Sequence, residues 1–188
     1  MYLKKRMSKK KPTIAKKIFI ILLIAAGVYL MVKHFHIRGF CTIEPGVLYA
    51  SGQPRGMDYT RLRYKYHIAT IVNIRPLTEH RDQNWYSEEI VASRNNGLNY
   101  IEMPIEKSNY FPNNQMQDGF LSIMADKKNL PVLLHGSGND KRVAMLVAVW
   151  LEKNKGYSVE ETIKTIKKII YDRPLTEQEK QFIEQIKK

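Results

Sequence analysis

The chain has 188 residues, room for one ordinary globular domain and a short appendage. With 44% hydrophobic and 10% aromatic residues it can bury a core, which excludes wholesale disorder. A single cysteine, Cys41, excludes a disulfide framework and any multi-thiolate metal site.

The net charge of +13 is unevenly placed. Ten of the 31 Lys/Arg precede residue 44 and no acid does, so residues 44–188 carry 21 bases against 18 acids. The excess belongs to a tail, and with no recognition motif behind it the sequence implies no nucleic-acid partner. Residues 1–17 read as a basic tail and 18–35 as a transmembrane signal-anchor. The run from Ile18 to Val32 holds fifteen uncharged residues. As a helix it would rise about 22 Å, short of the roughly 30 Å hydrocarbon core unless Lys16, Lys17 and Lys33 snorkel. A cleaved signal peptide shares this build, but no small-x-small site follows Val32. The positive-inside rule then expects a single-pass protein with a cytoplasmic N-terminus and its domain on the far side, with the membrane as one partner. Residues 36–43 read as a linker and 44–188 as the domain.

Within the domain, strands and helices alternate. Val47–Ala50 reads as a strand ending at the Ser51-Gly52-Gln53-Pro54 turn, and Asp58–Tyr66 as a helix. Ala69–Ile74 is a β-branched strand run, followed by a helix over Asn84–Arg94 and a strand over Tyr100–Pro104. A helix over Gln115–Ala125 precedes a strand over Pro131–Leu134 and an apolar helix over Arg142–Lys153. Ser158–Ile170 and Thr176–Lys187 close the chain as amphipathic helices, each opening on a capping-box pattern. The pattern expects an α/β fold: a mainly parallel sheet of four to five strands with helices on both faces, preceded by one transmembrane helix. Such sheets bind ligands at the carboxyl ends of their strands, which directs attention to the loop after Leu134.

Residues 131–142, PVLLHGSGNDKR, resemble the active-site segment of the cysteine-dependent protein tyrosine and dual-specificity phosphatases. That family ends a buried strand in His-Cys and then runs five residues to an Arg that opens an apolar helix. Residues 44–54 (EPGVLYASGQP), 71–76 (IVNIRP) and 97–104 (GLNYIEMP) are similar to its atypical bacterial-type subgroup. The resemblance covers roughly residues 44–170. It implies a phosphate-binding loop made of Gly136, Ser137, Gly138, Asn139, Asp140, Lys141 and Arg142, with Arg142 forked onto phosphate oxygens. His135 and Arg75 are implied as supports behind the loop, although Arg75 equally suits a bridge to Glu79 or Glu88.

The thiolate nucleophile of the family falls on Gly136, and the Ser/Thr that follows its Arg falls on Val143. Its general-acid loop is residues 105–112, IEKSNYFP, which holds no Asp; Asn109 and Tyr110 align best and Glu106 is the one carboxylate. Three catalytic roles are thus replaced together. The expected function is a family member impaired in catalysis that keeps an anion-binding loop and takes a phosphorylated or anionic ligand, or a protein partner. The alternatives are an active phosphomonoesterase whose Cys has been replaced by Gly136, and a scaffold that binds nothing. No cofactor and no metal are implied. His34 and His36 read as linker residues, while His67 and His80 lack partners at ligand spacing.

Overall fold

A computed structural model describes residues 14–79, 84–138 and 140–186. The chain divides into two compact units, 1–36 and 37–188. The first contains helix α1, Ile14–Phe35, whose Phe19, Leu22 and Leu23 are exposed. Among the described residues no helix is long and apolar enough to cross a membrane. The physical reason is the short uncharged run, about 22 Å of rise, with Lys16, Lys17 and Lys33 inside the helix itself. The expected transmembrane anchor over 18–35 is therefore corrected, and with it the membrane partner and the single-pass location. The basic residues up to 13, and His80, lie outside the described residues.

The second unit is built on five strands: β1 (Cys41–Glu44), β2 (Leu48–Ser51), β3 (Thr70–Asn73), β4 (Asn99–Glu102) and β5 (Val132–His135). Their order is β1-β2-β5-β3-β4. β2, β5, β3 and β4 run parallel and β1 is antiparallel to β2, so the five-stranded sheet is mixed, with three of its four pairings parallel. β1 begins within the stretch read as linker. Glu44-Pro45-Gly46-Val47 makes the hairpin turn: Pro45 suits its second position and Gly46, at φ 74°, its third, with Val47 N–H donating to the Glu44 carbonyl. Four residues without clean alternation gave too weak a pattern to mark β1.

Side-chain alternation splits the core in two. Leu48, Ala50, Val72, Ile74, Val132 and Leu134 point to one face, covered by α4 (Asn114–Ala125), α5 (Lys141–Lys155), α6 (Val159–Lys167) and α7 (Glu177–Gln185). Tyr49, Ile71 and Leu133 point to the other, covered by α2 (Asp58–Tyr64) and α3 (Asn84–Asn95). α5 is wrapped on all sides: every residue from Arg142 to Glu152 is buried. Its N-terminus is the end aimed at the loop after β5. α6 and α7 start on full capping boxes, Ser158 with Glu161 and Thr176 with Glu179.

Candidate functional site

Strand register assembles the site. Ser51, His135 and Asn73, the last residues of β2, β5 and β3, lie level on neighbouring strands. Gly136 N–H donates to the Ser51 carbonyl (3.3 Å), and Ile74 N–H to the His135 carbonyl (3.1 Å). Gly136, Ser137 and Gly138 follow β5, and α5 opens at Lys141 with Asp140 as its N-cap. Gly138, at φ 130°, takes a backbone conformation that disfavours a side chain. A Cβ on Gly52 would lie 3.0 Å from Gly138 Cα, so the turn after β2 and the loop after β5 meet backbone to backbone.

Asp140 organises this loop. It is the N-cap of α5, and its carboxylate accepts five hydrogen bonds. Oδ1 accepts from Arg142 N–H (3.1 Å) and Arg142 Nε (2.8 Å). Oδ2 accepts from Arg142 Nη2 (2.6 Å), Ser137 N–H (3.1 Å) and Ser137 Oγ (3.3 Å). The guanidinium fork is thus filled by a carboxylate two residues away in the same chain. The carboxylate reaches into the volume a side chain at 136 would need. A Cβ built on Gly136 would lie 2.7 Å from Asp140 Cγ and 2.8 Å from Asp140 Cβ, with Oδ2 nearer still. A rotamer change moves Cγ, but Cβ moves only with its backbone. The loop is therefore shaped around a glycine at 136.

The remaining edge of Arg142 is also engaged: Nη1 donates to Glu79 Oε1 and to the Ile105 carbonyl, both at 2.8 Å. Arg142 is 1% exposed. Glu79 Oε2 receives Arg75 Nε at 2.8 Å, and Lys107 Nζ stands 3.6 Å from Oε1. Arg75 also donates to Gln53 and stacks 3.5 Å from the centre of the Trp85 ring. Burial alone would raise the Asp140 carboxyl, but the Arg142 guanidinium and the two N–H donors hold it below the usual carboxylate range. Burial also opposes ionisation of Glu79, and Arg75 and Arg142 overcome it in the same direction.

Behind the loop, His135 points to the α3 face. Its Nε2 approaches Glu89 Oε1, and Glu89 also accepts from Tyr59, Asn73 and Tyr100. On the solvent side a cleft of about 300 Å³ is lined by Lys107, Tyr110, Lys141 and Arg173 beside Ser137, Gly138 and Asp140. Among the described residues no group of three or more His, Cys, Asp or Glu is placed to hold a metal ion.

The structure brings Gly136, Ser137, Gly138, Asp140, Lys141 and Arg142 into one loop, while Asn139 lies outside the described residues. Arg75 joins them through Glu79 rather than directly. Val143 is buried in the core and Glu106 is exposed. Of the two partners read for Arg75, Glu79 and Glu88, the structure pairs it with Glu79. Sequence reasoning missed two contacts: the Asp140 side chain on Arg142, and the reach of Glu79 to the same guanidinium. An Asp directly before a helix, two residues ahead of a buried Arg, was the available sign of the first. Nothing in the spacing announced the second, which reaches Arg142 across 63 residues.

A mixed α/β sheet whose parallel strand β5 ends in a loop that delivers a buried Arg at a helix start is the frame of a cysteine-phosphatase-type domain. Residues 47–185 match the family described as DSP-PTPase phosphatase fused to NAD+ kinase, and the chain belongs to that family. The tyrosine-protein phosphatase-like protein OCA2 of Saccharomyces cerevisiae is 25% identical over 115 residues, 59% of this chain and 54% of its own length. The chain thus spans about half the length of that curated relative. In fold it is similar to the core catalytic domain of the PP-IP phosphatase SIW14 from S. cerevisiae, solved in complex with citrate. That likeness has a TM-score of 0.66 and 17% identity, over 80% of this chain and 86% of the other. A putative phosphatase from Neisseria meningitidis Z2491 gives a TM-score of 0.62 at 17% identity, over 79% of this chain and 98% of the other.

Proposed function

We propose that this DSP-PTPase-family domain does not hydrolyse phosphomonoesters, and that it acts by binding a phosphorylated or otherwise anionic ligand, or a protein partner. One observation carries the reading. The position that aligns with the family nucleophile is Gly136, and the space beside it is held by the Asp140 carboxylate. Attack on phosphorus needs a nucleophilic side chain there, and an anion over the same spot repels an incoming phosphate. Val143, buried and without a hydroxyl, and Tyr110, standing in the acid loop, support the same conclusion. The alternative of an active phosphatase with a lone Cys replacement is disfavoured, because the loop has no room for a Cβ at 136. The citrate complex of SIW14 supports an anionic ligand for the family frame.

The test is release of phosphate from an aryl phosphate by the full 188-residue chain, beside Gly136→Cys and Gly136→Cys/Asp140→Gly. The unaltered chain and the single variant are expected to be inert. The double variant removes the three atoms nearest a Cβ at 136, all of Asp140, and is the one in which a thiol at 136 can face an open cradle. Turnover by the unaltered chain that vanishes in Arg142→Ala would overturn the reading.

A further inference from the structure

We propose that the Asp140 carboxylate is an internal ligand of the oxyanion cradle, a plug that a tetrahedral dianion of the phosphate class must displace, entering by the adjoining cleft. The inference rests on the non-hydrolysing reading above and names what controls access to that site.

A helix cap needs one side-chain oxygen and one backbone N–H. Asp140 goes further, using both oxygens in five hydrogen bonds to the backbone and side chains of Ser137 and Arg142. These are the donors a bound oxyanion would use: a two-pronged guanidinium, loop N–H groups and a helix N-terminus. With its carboxylate there, Arg142 meets two carboxylates, Asp140 and Glu79, so the buried guanidinium has no charge left over for an outside anion. The plug also has an entropic advantage over any free ligand, because its tether removes the loss of translational freedom.

Displacement is nonetheless chemically sensible. A phosphate-class dianion brings twice the charge of a carboxylate and more acceptor oxygens. The cleft that opens onto Asp140 carries Lys107, Lys141 and Arg173 in its lining. Lys107 is 65% exposed and only loosely paired to Glu79, at 3.6 Å. A released Asp140 side chain could swing toward these cations while the incoming anion takes the fork of Arg142. The ligand chemistry is a phosphate group; a free phosphate and a phosphate on a larger carrier share it.

Sodium tungstate, a tetrahedral dianion that cannot be hydrolysed, is the probe. Its affinity for the full chain is measured by calorimetry beside Asp140→Asn and Asp140→Ser, both of which keep a helix-capping side chain. Removing the internal carboxylate is expected to tighten tungstate binding by at least about tenfold in both, equivalent to about 1.4 kcal/mol. The gain should disappear when Arg142→Gln is added. If both variants melt like the unaltered chain and bind tungstate no more tightly, Asp140 is a helix cap and nothing more, and the proposal fails. The unaltered chain supplies a second readout that needs no variant. Saturating tungstate should move the NMR signals of Ser137 N–H and Arg142 Nε–H; saturable binding that leaves both unmoved also overturns the plug. Neither outcome depends on turnover, so phosphate release by the unaltered chain would sink the non-hydrolysing reading separately. Titration with inorganic phosphate and with an aryl phosphate distinguishes a free anion from a carried one.

Discussion

Glu89 Oε1 lies 3.1 Å from His135 Nε2, and neither side chain is exposed to solvent. Two-residue alternation explains how the pair arises. Asn73, Leu133 and His135 face α3, and Tyr100 pairs level with Ile71 on the same side, so Asn73, His135 and Tyr100 converge on one carboxylate. Burial would push the Glu89 carboxyl up, but His135 and the hydrogen-bond donors around it bring it below its ordinary value of 4.5.

A carboxyl depressed by folding contributes stability that is fully present above its unfolded value and is lost as pH falls through the lower folded value. Urea unfolding of the unaltered chain should therefore weaken as the pH drops below 4.5. Glu89→Gln should reduce that acid dependence and lower stability at neutral pH by about 1–3 kcal/mol, the cost of mispaired buried donors. An unchanged acid limb in Glu89→Gln would mean that other carboxylates account for it.

Arg142 balances two carboxylates and a carbonyl while almost wholly buried, so its loss leaves Asp140 and Glu79 facing each other without a cation. Removing one partner of such a cluster costs about 3–5 kcal/mol. Arg142→Ala should show this as a lower urea midpoint with unchanged slope. Arg142→Lys should recover little, since one ammonium cannot fork onto Asp140 and reach Glu79 together. Full recovery by lysine would show that charge alone, not the planar fork, holds the loop.

Gly136 is required by space rather than by backbone angle, because the atoms a Cβ would meet belong to Asp140. Gly136→Ala should therefore destabilise by about 1–3 kcal/mol, as overpacking does. Adding Asp140→Gly should recover part of that loss, a non-additive pair in a double-mutant cycle. Strict additivity by thermal melting would place the strain elsewhere in the loop.

Much of this molecule was legible in the residues. β-branched runs such as Thr70–Asn73, the caps at Ser158 and Thr176, and the apolar stretch of α5 each carry a local signal of one element type. The site's position followed from topology, since a loop after a buried parallel strand lies at the sheet's ligand edge. The state of that loop was hidden. Whether Asp140 turns outward or folds onto Arg142 depends on the space left by a missing Cβ at 136 and on Glu79 arriving from another loop, both tertiary facts. Strand β1 and the length of the uncharged part of α1 mark the other limit: short or borderline patterns do not decide between neighbouring readings.

Lys141 ties the site to the end of the chain. Its Nζ lies 2.7 Å from Glu179 Oε1, and Glu179 is the residue that completes the capping box of α7 by accepting from Thr176 N–H (2.7 Å). Glu179 is fully buried. Burial disfavours its charge, and Lys141 with Thr176 N–H outweighs that and holds it below its ordinary value of 4.5. Without the ammonium the buried carboxylate keeps its cap but loses its counter-charge, so Lys141→Ala should cost about 1–3 kcal/mol. The loss should be local first. Hydrogen exchange of the first-turn amides of α7 should speed up, while those in the middle of α5 stay protected. Lys141→Ala with α7 exchange unchanged would show that the packing of Phe182 and Ile183 alone anchors that helix.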